Sequence, residues 1–336
     1  MPNRSRVTRR LGLKTALATA ALPLTSTALS SSGASAQERE AGPAAGRAGR
    51  RLEAMSFNLR FASTGEPHSW AARRPVLREL LRRERPHLVG TQEGLYQQLL
   101  DIESDLGPHH DWIGTGRAGG SRDEFMAVFY DTRRVAPLEY DHFWLSDTPD
   151  VIGSNSWGGG SVRMVTWVRF RDLLDGGREF YLLNTHLDNR SQDARTRAAA
   201  LIVARIAGLD PALPLLVTGD FNVAAHRDPV YGTLLGAGLV DTWETAAERG
   251  PRYATFHGYR PLTPDGDRID WILATPGVTV HRAKINTFFR GRAVPQRPPA
   301  RAGLADPGMS RGPRDRGRGT VTGASYGRWT ISPCGS

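Results

Sequence analysis

Leu215-Leu216-Val217 runs into Thr218-Gly219-Asp220-Phe221-Asn222, three apolar β-formers ending in a turn that presents a carboxylate and an amide two residues apart. At the open end of a strand, such an Asp can polarise a water or ligate a divalent cation, while the Asn holds a substrate oxygen. Other polar residues sit in comparable places: Asn58 after Met55-Ser56-Phe57, Glu93 after Leu88-Val89-Gly90-Thr91-Gln92, His186 after Leu182-Leu183-Asn184-Thr185, and Asp270 in Arg268-Ile269-Asp270-Trp271. Singly, each has a plain structural use. Asn58 can cap a turn, Glu93 can cap the helix that follows, His186 can be a hydrogen-bonded core histidine, and Asp270 can pair with Arg268. Together they carry more meaning, because carboxylates at several strand ends repel unless a cation or a histidine balances them.

Something must hold these ends together. Strand patterns cover Leu52 to Leu59, His87 to Thr91, Trp112 to Gly114, Phe125 to Tyr130, Leu138 to Leu145, Met164 to Phe170, Phe180 to His186, Arg268 to Leu273 and Val278 to Phe288. Helical spacing appears at Trp70 to Arg85, Tyr96 to Leu106, Ser191 to Gly208 and Val230 to Leu235. Strands that deliver Glu93, His186, Asp220 and Asp270 from their C-terminal ends, with helices between, predict helix-covered sheets.

Composition narrows the partners. The net charge of +10 over 336 residues lies in the ends, since residues 51–289 hold 27 basic and 30 acidic side chains. The usual electrostatic argument for a dedicated nucleic-acid binder therefore falls away. Cys334 is the single cysteine, which excludes a disulfide framework and a thiolate metal site. Residues 1–36 read as a signal peptide. Arg9-Arg10 precedes a short apolar run and Ala34-Ser35-Ala36, the pattern of twin-arginine or Sec export, and the run is too short to span a bilayer. Residues 37–50 read as a linker, and the expected product is a secreted monomer with no membrane span.

Ser56-Phe57-Asn58, Thr91-Gln92-Glu93, Asn184-Thr185-His186-Leu187-Asp188, Thr218-Gly219-Asp220-Phe221-Asn222 and Arg268-Ile269-Asp270-Trp271 resemble, in order and spacing, the successive motifs of the endonuclease/exonuclease/phosphatase superfamily. The resemblance covers residues 51–289. It implies a four-layer α/β sandwich of two packed, mainly antiparallel sheets flanked by helices, with the site at one sheet edge. It also implies a divalent-metal-dependent phosphoesterase in which an activated water attacks phosphorus in line. Glu93 resembles the direct ligand of Mg²⁺ or Mn²⁺, with Asn58 beside the metal. Asp220 resembles the residue that positions or deprotonates water, Asn222 and His186 those that bind phosphate oxygens, and Arg163 an added charge clamp. Asp270 resembles the carboxylate that orients a catalytic histidine. His257 is a candidate substrate contact, and Trp70, Trp157 and Tyr259 are candidate stacking residues. The substrate is a phosphate ester: nucleic acid, nucleotide or small phosphorylated molecule. Phe143-Trp144-Leu145-Ser146 resembles strands of the deadenylase-like branch.

One motif of that pattern is absent. The family ends on Ser-Asp-His and an apolar strand, yet no histidine follows His281, and residues 290–336 include 9 Gly and 6 Pro. This composition predicts a disordered tail and a missing last strand, leaving an aggregation-prone open edge. Val294 to Arg301 can be encoded so that the adjacent frame reads Tyr-Pro-Ser-Asp-His-Leu-Pro, which predicts an out-of-frame tail and impaired activity. The alternatives are a genuine basic tail and, for the whole chain, a catalytically dead family member acting as a binding module.

Overall fold

The computed structural model describes residues 51–288 and the backbone of a strand at 326–333. The signal, the linker and residues 289–325, where the frame change is expected, lie outside the described residues. The strands are β1 (Leu52–Asn58), β2 (Leu88–Gln92), β3 (His110–Ile113), β4 (Val128–Asp131), β5 (Val135–Trp144), β6 (Met164–Asp172), β7 (Glu179–His186), β8 (Leu215–Asp220), β9 (Val240–Asp241), β10 (Glu248–Arg249), β11 (Asp270–Ala274), β12 (Val278–Asn286) and β13 (Tyr326–Pro333). The helices are α1 (Trp70–Glu84), α2 (Tyr96–Leu106), α3 (Gln192–Ile206), α4 (Pro229–Gly236) and the single turn α5 (Thr242–Thr245).

Two sheets form, ordered β10-β12-β13-β1-β2-β4-β3 and β5-β6-β7-β8-β11-β9. Pairing is mainly antiparallel; β1–β2, β7–β8 and β10–β12 are parallel. Strand alternation sorts the side chains into layers. Leu52, Ala54, Leu88, Leu182, Leu216 and Ile272 pack between the sheets. Met55, Phe57 and Val89 face Leu77, Leu80, Leu99 and Ile102 of α1 and α2. On the far side Leu183, Val217 and Leu273 meet Ala198, Ile202, Val230 and Leu234 of α3 and α4. This is the four-layer sandwich expected. The helices begin where capping chemistry allows. Ser69 and Ser191 each accept the third backbone N–H along at 3.1 Å, and Asp228 accepts Val230 N–H ahead of Pro229.

Two expectations are corrected. The last strand is present: the β13 backbone pairs antiparallel with both β1 and β12, so neither is left as an open edge. Its stretch, Tyr-Gly-Arg-Trp-Thr-Ile-Ser-Pro, carries four β-formers that the surrounding Gly and Pro concealed. The strand carrying Asp270 starts at that residue rather than ending on it; because β11 runs antiparallel to β8, its beginning reaches the edge where β8 ends. Arg268 also does not serve Asp270: it binds Asp241 at 2.7 Å.

Gly90 on β2 is needed for space rather than for backbone freedom. A Cβ there would overlap Thr218 Oγ1 and press on Asn184 Oδ1. Gly90→Ala is therefore expected to lower the urea midpoint, costing about 1–3 kcal/mol by overpacking.

Candidate active site

The inter-sheet face of each central strand ends in a polar group. Asn58, His186 and Asp220 take the last such positions of β1, β7 and β8, and Asp270 pairs with Asp220 in register. Glu93 leaves β2 with φ 63°, and Asn222 turns the chain after β8 with φ 55°, a region Asn tolerates better than most residues. The Asn222 N–H donates to Asp220 Oδ1 at 2.9 Å, closing that turn around its own carboxylate.

One amide joins the two sheets. Asn58 Nδ2 donates to Glu93 Oε1 and to Asp220 Oδ2, each at 2.9 Å, and its Oδ1 accepts Arg60 N–H at 2.8 Å. Across the site, His186 Nδ1 lies 2.9 Å from Arg163 Nη1. Its Nε2 lies 2.9 Å from Asn222 Nδ2 and 3.7 Å from Asp220 Oδ2. Arg163 can only donate, so Nδ1 accepts and the neutral ring keeps its single proton on Nε2. Burial, helped by Arg163 and Arg117, holds its pKa well below the usual histidine range. Asp188 accepts the N–H groups of Arg190 and Ser191 and lies 3.8 Å from Arg163 Nε, so it braces the arginine from behind.

The acids are costly to ionise here. Burial pushes Asp220 up to about 6 against the donors Asn58 and Asn222. Asp270 is driven well above the carboxylate range by burial first and by Asp220 second, against a hydrogen bond from Thr255. A divalent cation fits this need: Glu93, His186 and Asp220 offer ligand atoms within 4.8 Å of one another, and the carboxylates with Asn58 form an oxygen-rich set suited to a hard ion. His226, Asp241 and Glu244 are similarly close, but Arg268 and Arg249 already neutralise that cluster.

Asn58, Glu93, Arg163, His186, Asp220, Asn222, His257 and Asp270 line one cavity of about 500 Å³, so the candidate catalytic, metal and substrate-binding residues meet there. Tyr259 lines it too, under the Arg60 guanidinium at 4.8 Å. Trp70 and Trp157 do not; their indole N–H groups bind Asp101 and Asp147. Sequence reasoning missed Phe61 and Phe256, which line the cavity at 47% and 70% exposure, and Thr255. It also missed Arg117, which joins Asp123 and Glu124 near Arg163. The one signal was an arginine inside the Gly114 to Gly120 loop.

Fold and cavity together define an α/β-sandwich hydrolase of phosphate esters. Residues 55–324 match the Endonuclease/Exonuclease/phosphatase family, and the chain belongs to it. The chain is similar to the mannosyl-6-phosphatase of Bacteroides thetaiotaomicron, at 29% identity and TM-score 0.68, over 84% of this chain and 100% of that one. An endonuclease/exonuclease/phosphatase protein of Bacteroides vulgatus superposes at TM-score 0.70 with 26% identity, over 84% and 99%. Protein angel of Drosophila melanogaster is 24% identical over 196 residues, 54% of this chain and 52% of that protein, so the match spans about half the length of this curated relative.

Proposed function

We propose that this chain is an exported, monomeric, Mg²⁺- or Mn²⁺-dependent phosphatase acting on small phosphorylated molecules. The observation that carries the reading is the Asn58 amide holding Glu93 and Asp220, from opposite sheets, on the wall of a cavity whose other side is Arg163, His186 and Asn222. When bound, the cation supplies Lewis-acid neutralisation of phosphate charge. Glu93, with Asn58 and Asp220 beside it, would hold it. Asp220 orients the attacking water and takes its proton, a task suited to a carboxylate with a pKa of about 6. Asn222 and the neutral His186 face the phosphate oxygens as hydrogen-bonding groups, and Arg163 offsets the charge that grows in the transition state.

The slight acidity of residues 51–289 and the likeness to a mannosyl-6-phosphatase favour a small monoester over a nucleic acid. The second reading, a binding module without turnover, draws on the absence of any histidine beyond His281 to partner Asp270. A panel of sugar phosphates, p-nitrophenyl phosphate, its bis-ester and single-stranded DNA, assayed with Mg²⁺, Mn²⁺ or EDTA, tests the proposal. Phosphate release from monoesters that stops with EDTA is expected. Cation binding without release from any substrate supports the binding module, and no heat of Mn²⁺ or Mg²⁺ binding in calorimetry refutes the site. Glu93→Gln should weaken Mn²⁺ binding at least about tenfold, as loss of a charged hard-ion ligand implies. Export is tested by mature protein beginning after Ala36 outside the native host's cytoplasm.

A further inference from the structure

Below the cavity, buried polar side chains stand among the apolar ones between the sheets, and the best connected of those described joins both sheets. Asn184, fully buried, makes four hydrogen bonds there. Its Nδ2 donates to Thr91 O at 2.7 Å and Ala127 O at 3.0 Å, and its Oδ1 accepts Gln92 Nε2 at 2.7 Å and, at 3.1 Å, the Thr218 hydroxyl, whose proton it shares with Leu183 O at 3.2 Å. Two donors and two lone pairs are all that an amide has, so its capacity is full. Its partners belong to β2, to the residue leading into β4, and to β8. Strand alternation puts Asn184 one pleat below His186 and Thr218 one pleat below Asp220, and Gln92 immediately precedes Glu93. Gly90, without a side chain, lets the cluster close.

We propose that Asn184 is a positioning residue that fixes the gap between the two sheets at the depth of the site, and so the placement of Glu93 against His186 and Asp220. Apolar packing is non-directional and sets a separation only loosely, whereas four hydrogen bonds in fixed directions set it to tenths of an ångström. A cation held by groups from both sheets requires that tolerance. The inference rests on the cation-binding reading of Glu93, and its test separates the two.

Mn²⁺ affinity is measured by calorimetry under conditions where each protein is folded, alongside urea midpoints. Asn184→Leu is expected to weaken Mn²⁺ binding at least about tenfold, the scale of lost outer-sphere support. Leu182→Ala, on the same face one pleat deeper, should lower the midpoint and leave Mn²⁺ affinity unchanged. Unchanged affinity in Asn184→Leu, or equal weakening in both variants, overturns the inference. If Asn184→Leu does not fold, Thr218→Val removes one of the four bonds at similar volume; a measurable loss of affinity supports the inference and none overturns it. Absence of Mn²⁺ binding in the unsubstituted chain overturns the cation reading and this inference with it.

Discussion

Asp220→Asn is expected to lower phosphate release on the order of 10²–10³-fold or more, and at the same time to make the metal-free protein more stable at pH 8. The first effect follows from losing the carboxylate that sits beside both Asn58 and Asn222, since an amide cannot take a proton from water. The second follows from linkage. A carboxyl group whose pKa is about 6 when folded and near 4 when unfolded binds more protons in the folded state between those values. Stability then falls as pH rises from about 4 to about 6, and the full deficit, roughly 3 kcal/mol for two units, persists above 6. Asparagine fills the same space with no charge to bury, and it relieves Asp270 of a repelling neighbour. Urea midpoints in EDTA at pH 4, 6 and 8 read the difference, which should be largest at pH 8 and close toward pH 4. The His186 contribution has the opposite sign, because its lowered pKa removes stability as pH falls below about 6.5, but both proteins share it. A variant less stable than the parent at pH 8 would show that the buried carboxylate ionises at no cost.

Restoring the reading frame near residue 290, so that Ser-Asp-His follows, is expected to raise turnover on the order of 10²–10³-fold, the usual worth of one preorganised electrostatic partner. We propose this because Asp270 is buried and raised in pKa, and among the described residues its carboxylate has the Thr255 hydroxyl as its hydrogen-bonding partner, a costly arrangement once it ionises. A histidine there would gain a buried counter-charge and would let Asp270 ionise. Steady-state rates of the two forms on a phosphomonoester, measured with Mg²⁺, decide the matter, and equal rates would overturn the proposal. Sequencing the 3′ end of the gene gives an independent answer.

The candidate site was legible because short apolar runs, buried on both faces, end on Asn58, Glu93, His186 and Asp220, in the order of the motifs they resemble. Phe61, Phe256 and Thr255 were not legible, since loop residues carry no period and meet the cavity only through tertiary folding. Arg117 looked like part of a glycine loop, and its role depends on Asp123 and Glu124 returning to it through turns. Asp270 was located correctly in the sequence but with its strand reversed in sense, because a short apolar run carries no direction. β9, β10 and α5 are two to four residues long, below the length at which periodicity exists. β13 was hidden by composition: a window rich in Gly and Pro averages away four strand formers within eight residues.

The pairing of β13 with β1 has a consequence for how the molecule is made. Among the described residues β1 is the first strand to be synthesised, yet one of its two neighbours in the sheet, β13, is the last. Until Tyr326–Pro333 has been made, one flank of β1 has no partner, and the first sheet exists as two unjoined parts, β1-β2-β4-β3 and β10-β12. Closure by so distant a contact is slow, and it exposes sticky backbone in the interval. Nascent chains stalled before Tyr326 should therefore be the species most dependent on chaperones, and a short delay in translation near the end would matter more to yield than one in the middle.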